Sequence, residues 1–205
     1  MIPHKTPLIL QKLYPDLTWK KTEKVCLTFD DGPIPEVTDF VLKTLNDFKI
    51  KATFFCIGDN IKKHPDIFQR VISEGHSVGN HTMHHVNGWQ TTNDLYLKEV
   101  KGCDEVIQLN HSKTTKKLFR PPYGRIRRKV ISELTTEFDI IMWTALSKDY
   151  DQSISPEKCL EETLKATEPG SIILFHDSLK ARKNLEYVLP RYLEAIYDRF
   201  EFDKL

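Results

Sequence analysis

Short apolar, β-branched runs alternate along this chain with longer segments of helical periodicity. In the first of these segments Val37, Val41 and Leu45 fall on one face of a helix. The runs that predict strands span residues 24–30, 52–58, 76–82, 117–124, 139–145 and 171–177, with 199–205 as a seventh. Repeated strand-helix units with nearly continuous apolar strands predict a parallel sheet covered by helices.

The strand count leaves two arrangements of this sheet open. About seven parallel strands can close into a (β/α) barrel, complete or incomplete, and an open doubly wound sheet is the alternative. The absence of a glycine-rich phosphate loop after the first predicted strand favours the barrel. The chain has 205 residues and no Ser/Gly-rich or charge-run linker, which predicts a single domain over 1–205.

The charge balance argues against nucleic acid as a partner. The chain has 30 basic and 29 acidic residues, interspersed, for a formal net charge of +1. It contains no window of eighteen apolar residues, and its first twenty residues lack a basic region leading into a long apolar one. We therefore expect no membrane segment and a cytoplasmic location, and we assume a monomer because the sequence does not indicate an oligomeric state.

The four cysteines are far apart in the sequence and form no C-x-x-C pair. This spacing offers neither a zinc knuckle nor a redox motif, so we interpret them as small core residues. They are Cys26, Cys56, Cys103 and Cys159.

Unusual polar residues follow almost every predicted strand. Parallel strands in a β/α barrel direct their C-terminal ends to one face, where reactive groups lie on the loops. The sequence therefore predicts that these residues meet on one rim. They are Asp30 and Asp31 at the end of the first strand, His81 to His85 at the end of the third, Arg120 to Tyr123 at the end of the fourth, Asp149 after the fifth, and His176 and Asp177 at the end of the sixth.

Two of these stretches together predict a metal site. In "HTMHH" the imidazoles of His81 and His85 are four residues apart, so on a helical turn both can face one cation, with His84 as a spare. Asp31 of "LTFDDGP" would complete a set of two histidines and one carboxylate. Its neighbour Asp30 would then be free to accept a proton. Taken alone, "HTMHH" is more typical of surface histidines at the start of a helix than of metal ligands, and "DDGP" is as typical of a simple turn as of a functional pair.

Two further stretches predict groups that handle protons. "FRPPYG" holds Arg120 before two rigid prolines, where it can grip the carboxylate of Asp30 bidentately. "ILFHD" brings His176 out of an apolar strand to a position where it can protonate a leaving group, with Asp149 as the partner that holds it charged. Trp143 and Leu174 are candidates for an apolar wall.

Five stretches in order, "TFDDGP", "HTMHH", "RPPY", "WTALSKDY" and "LFHD", resemble the motifs of the polysaccharide deacetylases, which form carbohydrate esterase family 4 and share the NodB-homology domain. The resemblance implies a distorted, incomplete (β/α) barrel, similar to a TIM barrel, with the domain core at about 24–205. It also implies a hydrolase of carbon-nitrogen bonds that removes acetyl groups from sugars, with a divalent metal, most commonly Zn²⁺, although Co²⁺ or Ni²⁺ would also suit the ligands.

The resemblance also implies a role for each matching residue. The base is Asp30, the metal ligands are Asp31, His81 and His85, the residue that orients the base is Arg120, the acid is His176, and the aspartate that tunes it is Asp149. Substrate contacts come from the backbone N–H of Tyr123, which would stabilise the oxyanion, and from Trp143 and Leu174, which would line the pocket for the acetyl methyl group.

Two other functions stay open at this point. One is a metal-containing protein that binds carbohydrate without turnover, because Thr144 and Tyr150 depart from the residues that many relatives have in the fourth motif. The other is a deacetylase of a small cytosolic amide. The sequence leaves the sugar, and the choice between N- and O-acetyl groups, undecided.

Overall fold

The computed structural model of the protein describes residues 3–111 and 117–205, and these are organised around one parallel sheet. The strand order is β5-β4-β3-β2-β1-β7-β6, with the short β8 beside β1. The strands are β1 (Val25–Asp30), β2 (Thr53–Cys56), β3 (Ser77–Asn80), β4 (Lys117–Phe119), β5 (Phe138–Ile140), β6 (Ala145–Leu146), β7 (Ile172–His176) and β8 (Phe202–Asp203).

The helices alternate with the strands, as the apolar pattern predicts. Val37, Val41 and Leu45 of α2 pack with Leu27 and Phe29 of β1 in the larger hydrophobic core. The helices are α1 (Leu8–Leu13), α2 (Val37–Asp47), α3 (Gly58–Lys63), α4 (Pro65–Ser73), α5 (Asn93–Asn110), α6 (Arg128–Leu134), α7 (Pro156–Ala166) and α8 (Arg182–Ile196), and a 3₁₀ turn spans Pro122–Gly124. In the described part of the chain, no helix has the length and apolar character needed to cross a membrane.

The sheet curls into an incomplete barrel through the segment 138–146. The sequence pattern predicts one strand over 139–145, but the segment forms two short strands that pair with opposite sides of the sheet. The Ile141 N–H donates to the Phe119 carbonyl at 2.8 Å, whereas the Thr144 N–H donates to the Ile172 carbonyl at 3.0 Å. The segment thus bridges β4 and β7, which confirms the barrel and excludes the open doubly wound sheet.

The N-terminal segment lies along this bridge. The Thr6 N–H donates to the Thr144 carbonyl at 2.8 Å, and the Thr18 N–H donates to the Ile140 carbonyl at 2.8 Å. Backbone groups of 140–146 that would otherwise lack partners are satisfied in this way.

Alternation along β1 divides its side chains between two environments. Leu27 and Phe29 face the helices, whereas Cys26 belongs to a second cluster with Phe55 and Leu118 of the neighbouring strands. Because Asp30 lies four residues beyond Cys26, it falls on the same face, inside the barrel. All four cysteines are free and buried, which confirms their interpretation as core residues.

The barrel interior is tight at Gly79 of β3, and this generates a stability prediction. A Cβ at Gly79 would lie 2.6 Å from the Phe55 ring and 3.1 Å from the Leu118 Cβ. We expect Gly79→Ala to lower the free energy of unfolding by about 1–3 kcal/mol, because overpacking displaces the ring. Urea unfolding followed by circular dichroism measures the change.

Gly102→Ala in α5 is the matched control. A Cβ there meets Met83 at an ordinary 3.9 Å, so the substitution should be neutral or stabilise by up to about 1 kcal/mol. An equal decrease in the free energy of unfolding in both variants would contradict a tightly packed barrel interior at Gly79.

Candidate active site

The residues at the C-terminal ends of the strands surround one cavity of about 630 Å³. Eight of the ten site residues named from the sequence line it, and the other two, Arg120 and Asp149, lie behind it in contact with Asp30 and His176. The eight are Asp30, Asp31, His81, His85, Tyr123, Trp143, Leu174 and His176.

Asp31, His81 and His85 form a cluster that fits a metal ion. One potential ligand atom from each lies within 4.8 Å of the other two. The Asp31 Oδ1 is 3.3 Å from the His85 Nε2 and 3.7 Å from the His81 Nε2, yet this buried oxygen has no hydrogen-bond partner among the described residues. A buried, unpartnered carboxylate oxygen facing two imidazole nitrogens is the arrangement that a cation would complete.

His81 is held in the form that a metal ligand needs. Its Nδ1 lies 2.7 Å from the backbone carbonyl of Arg120, which can only accept, so Nδ1 carries the proton and Nε2 keeps a lone pair for the cluster. Burial, together with the nearby His85, lowers the pKa of His81 to about 3, so the imidazole is neutral.

The loop carrying the histidines is not helical, contrary to the reasoning from their spacing. Residues 81–85 contain no helix, and φ is 64° at Thr82 and 54° at His85. These left-handed conformations turn both imidazoles toward Asp31, whose own φ is 86°. His84 points elsewhere and lies with its Nδ1 3.0 Å from Glu99 Oε1, so the spare histidine is not part of the cluster.

Asp30 is paired with Arg120 inside the barrel. The Arg120 Nη1 donates to the Asp30 Oδ1 at 2.8 Å, and both side chains are buried. The predicted bidentate grip is wrong, because the other guanidinium donors bond elsewhere. Nη1 also reaches the Thr28 hydroxyl at 2.7 Å, Nε the Ile141 carbonyl at 3.2 Å and Nη2 the Met142 carbonyl at 3.1 Å. The single contact leaves Asp30 Oδ2 without a bond from Arg120.

His176 and Asp149 form a hydrogen-bonded pair. The His176 Nδ1 lies 2.7 Å from the Asp149 Oδ1, and the His176 backbone N–H donates to the Asp149 Oδ2 at 2.7 Å. Burial lowers the pKa of His176, but the charge of Asp149 and its hydrogen bond outweigh burial and raise the pKa to about 9. The imidazole is therefore protonated near neutral pH, and its Nε2 is the atom that can donate.

Tyr123, Trp143 and Leu174 line the cavity, as the sequence predicts. The Tyr123 ring centroid lies 4.6 Å from that of His85, and its φ is 60°. Because the two preceding prolines lack an N–H, Tyr123 supplies the first backbone donor of this turn. The structure brings the named residues together, and their individual roles stay predictions.

Asp177 supports the site in a way that the sequence reasoning missed. Its Oδ1 accepts the Gly32 N–H at 3.0 Å and its Oδ2 accepts the Thr38 hydroxyl at 2.6 Å, so it fixes the turn that follows Asp31. A Cβ at Gly32 would lie 1.9 Å from the Asp177 Oδ2, so this turn requires glycine. Asn60 adds a bond from its Nδ2 to the Asp31 carbonyl at 2.7 Å. The adjacency of Asp177 to His176 was the available signal.

The chain is similar to a known family and to several known proteins. The family model for polysaccharide deacetylase matches residues 19–137. A peptidoglycan-N-acetylglucosamine deacetylase of Bacillus cereus is 35% identical over 76% of this chain and 56% of its own length. A chitooligosaccharide deacetylase of Rhizobium leguminosarum bv. trifolii is 32% identical over 75% of this chain and 71% of its own length.

The fold has a close match among solved structures. The Bc1960 peptidoglycan N-acetylglucosamine deacetylase, in complex with a hydroxamate compound, superposes with a TM-score of 0.82 at 29% identity, covering 98% of this chain and 95% of that one. The chain spans about half the length of several curated relatives that it matches, 56% and 41% in two of them.

The cluster generates a prediction about metal binding. We expect Asp31→Ala to weaken Zn²⁺ binding by more than about a hundredfold, because even residues that only orient a ligand account for 10- to 100-fold. Isothermal titration calorimetry with chelator-buffered Zn²⁺ measures the affinity. His84→Ala, which removes an imidazole from the same loop, should bind as the wild type does. Loss of binding in both variants, or in neither, would contradict the assignment.

Proposed function

This chain belongs to the polysaccharide deacetylase family, and from that membership we propose that it hydrolyses the acetyl group from an N-acetylated sugar. The observation that carries the proposal is one cavity that brings together a set of potential metal ligands, a carboxylate bound to a buried guanidinium and an imidazole bound to a second carboxylate. The relatives named above act on N-acetylglucosamine in peptidoglycan and on chitooligosaccharides, which supports an N-acetylglucosamine unit as the substrate.

The family is metal-dependent, and Asp31, His81 and His85 are the residues that would hold the ion. A divalent cation supplies two effects when bound: it lowers the pKa of water and polarises a carbonyl oxygen. We propose zinc, because two imidazoles and one carboxylate with open positions are the ligand set of catalytic zinc sites, while Co²⁺ and Ni²⁺ also suit these ligands.

Asp30 acts as the base. Arg120 holds its Oδ1, so Oδ2 is the atom that takes the proton from water as the water attacks the acetyl carbon. The guanidinium also fixes the orientation of the carboxylate, because its hydrogen bond holds one of the two oxygens. The N–H of Tyr123 supplies a hydrogen bond to the oxyanion that develops on the acetyl oxygen.

His176 acts as the acid. Asp149 holds its Nδ1, so Nε2 donates the proton to the sugar nitrogen as the carbon-nitrogen bond breaks. The products are acetate and the free amino sugar. Trp143 and Leu174, both in the cavity lining, would exclude water from the acetyl methyl group.

Acetate release tests the proposal. We expect the Zn²⁺-loaded protein to release acetate from chitooligosaccharides or peptidoglycan fragments, and a chelator to stop it. Asp30→Asn should lower kcat by about a hundredfold or more with its zinc content unchanged, because the base is lost while the ligands remain. Zinc-loaded protein that binds these sugars without releasing acetate would favour the carbohydrate-binding alternative, and near-normal turnover in Asp30→Asn would exclude this base.

The pair of His176 and Asp149 predicts the alkaline side of the pH-rate profile. Activity should fall as pH rises through about 9, because the acid must be protonated. In Asp149→Asn the burial that lowers the pKa of His176 remains, whereas the negative charge that raises it is lost. The alkaline limb of the profile should therefore move to lower pH by about one unit or more. The profile of kcat/KM against pH measures this.

Asp151→Asn is the matched control, since Asp151 is nearby in sequence and more exposed than the buried Asp149. Because solvent screens the charge of Asp151, removing it should shift the alkaline limb of the profile only slightly. An unchanged limb in Asp149→Asn would contradict the role of His176 as the acid.

A further inference from the structure

We propose that the mouth of the cavity binds a carboxylate on the sugar next to the one that reacts, and that Arg125 is the residue that recognises it. This inference rests on the proposed deacetylase function and adds the charge of the substrate to it. Arg125 lines the same cavity as Asp31, His81 and His85, but it lies between the motifs "RPPY" and "WTALSKDY" and belongs to neither.

Arg125 belongs to a series of aromatic contacts that starts at His85 of the metal-ligand cluster. The His85 and Tyr123 ring centroids are 4.6 Å apart, and the Arg125 guanidinium carbon lies 5.9 Å from the Tyr123 ring and 5.1 Å from the Trp89 ring. The Tyr123 ring thus separates the guanidinium from a residue of the metal-ligand cluster. A group bound by Arg125 would belong to a neighbouring sugar.

The position of Arg125 is fixed by the loop that carries Trp89. A Cβ at Gly88 would lie 2.3 Å from the Arg125 carbonyl oxygen, so the two backbones are in direct contact. Arg127 donates from Nη2 to the Trp89 carbonyl at 2.8 Å, which ties the loop to the same segment. A cation held in place before the ligand arrives loses less entropy on binding.

The guanidinium is free to bind an anion. Among the described residues the Arg125 side chain forms no ion pair and no hydrogen bond. A guanidinium in contact with aromatic rings uses no hydrogen-bond donor in that contact, so its donors remain available for bidentate contact with a carboxylate. Trp89 is 60% exposed, which leaves an aromatic surface beside these donors for the sugar itself.

The opposite wall of the cavity repeats this arrangement with Lys180. The His176 and Tyr150 ring centroids are 5.0 Å apart, and the Lys180 Nζ lies 5.5 Å from the Tyr150 ring. The acidic residues in the described cavity lining are Asp30 and Asp31, which belong to the catalytic groups and not to the mouth. The mouth is therefore positively charged on both sides, which complements an acidic glycan.

Contact between an arginine and an aromatic ring does not by itself indicate a binding site, as Arg128 shows. Its guanidinium carbon lies 5.4 Å from the Tyr14 ring, yet it is outside the cavity lining. What distinguishes Arg125 is its place in the cavity wall, beyond Tyr123 from His85. Arg128 thus provides a matched control: an arginine on an aromatic ring in the same segment, without access to substrate.

The test compares substrates that differ only in charge. An oligosaccharide of alternating N-acetylglucosamine and N-acetylmuramic acid is compared with its methyl amide derivative, and an acetylated oligosaccharide that contains a uronic acid is compared with its own methyl amide. The two pairs distinguish a lactyl carboxylate from a carboxylate on the sugar ring. The readouts are acetate release by the zinc-loaded wild type and calorimetric binding in the zinc-loaded Asp30→Asn variant, which turns over slowly.

We expect the acid form of at least one pair to be preferred about tenfold in kcat/KM and in affinity, as for one charge-assisted hydrogen bond. Arg125→Gln should abolish this preference by raising KM with kcat unchanged, and Arg128→Gln should retain it. The preference should weaken as salt concentration rises.

The outcomes separate the two proposals. Equal turnover of the acid and amide forms by the wild type, or equal losses on both in Arg125→Gln, would overturn the carboxylate site and leave the deacetylase intact. Binding that prefers the acid and depends on Arg125, without acetate release from any substrate, would support the carboxylate site and overturn the proposed reaction.

Discussion

The site depends on a guanidinium buried inside the barrel. Arg120 is completely inaccessible to solvent, and a buried charge is tolerated only when it is paired and its donors are satisfied. Its donors reach Asp30 and Thr28 on β1 and the carbonyls of Ile141 and Met142, while its face lies 4.2 Å from the Phe55 ring. The charge that orients the base therefore also holds the bridging segment against the first strand.

The same residue connects the base to the metal cluster. The backbone carbonyl of Arg120 fixes the tautomer of His81, and its side chain orients the carboxylate of Asp30. Around it, Asp31, Thr82, His85 and Tyr123 adopt left-handed backbone conformations, which cost free energy and persist where the surroundings determine them. Asp177 and Asn60 help to hold the turn after β1 in this conformation through their hydrogen bonds to its backbone.

The sequence predicts the site well because parallel strands bring their ends to one rim, and this rule places Asp31 beside His81 and His85 whatever the loops between them do. The conformation of the histidine loop was not predictable from spacing, since the left-handed residues within it are set by tertiary contacts. The division of 139–145 into two strands escapes pattern analysis because apolar runs do not specify their partners. The bond from Gly32 to Asp177 joins residues 145 positions apart, and no local pattern reports it.

The N-terminal segment shows how the barrel avoids an open edge. Residues 4 to 6 and residue 18 pair with the backbone of 140–146, and all of them lie outside the stretch 19–137 that matches the family. An uncovered strand edge is a template for pairing with other chains. A shortened version of the protein that starts at the first barrel strand would keep every catalytic group and still expose this edge. We therefore expect the shortened protein to lose solubility although its catalytic groups are intact.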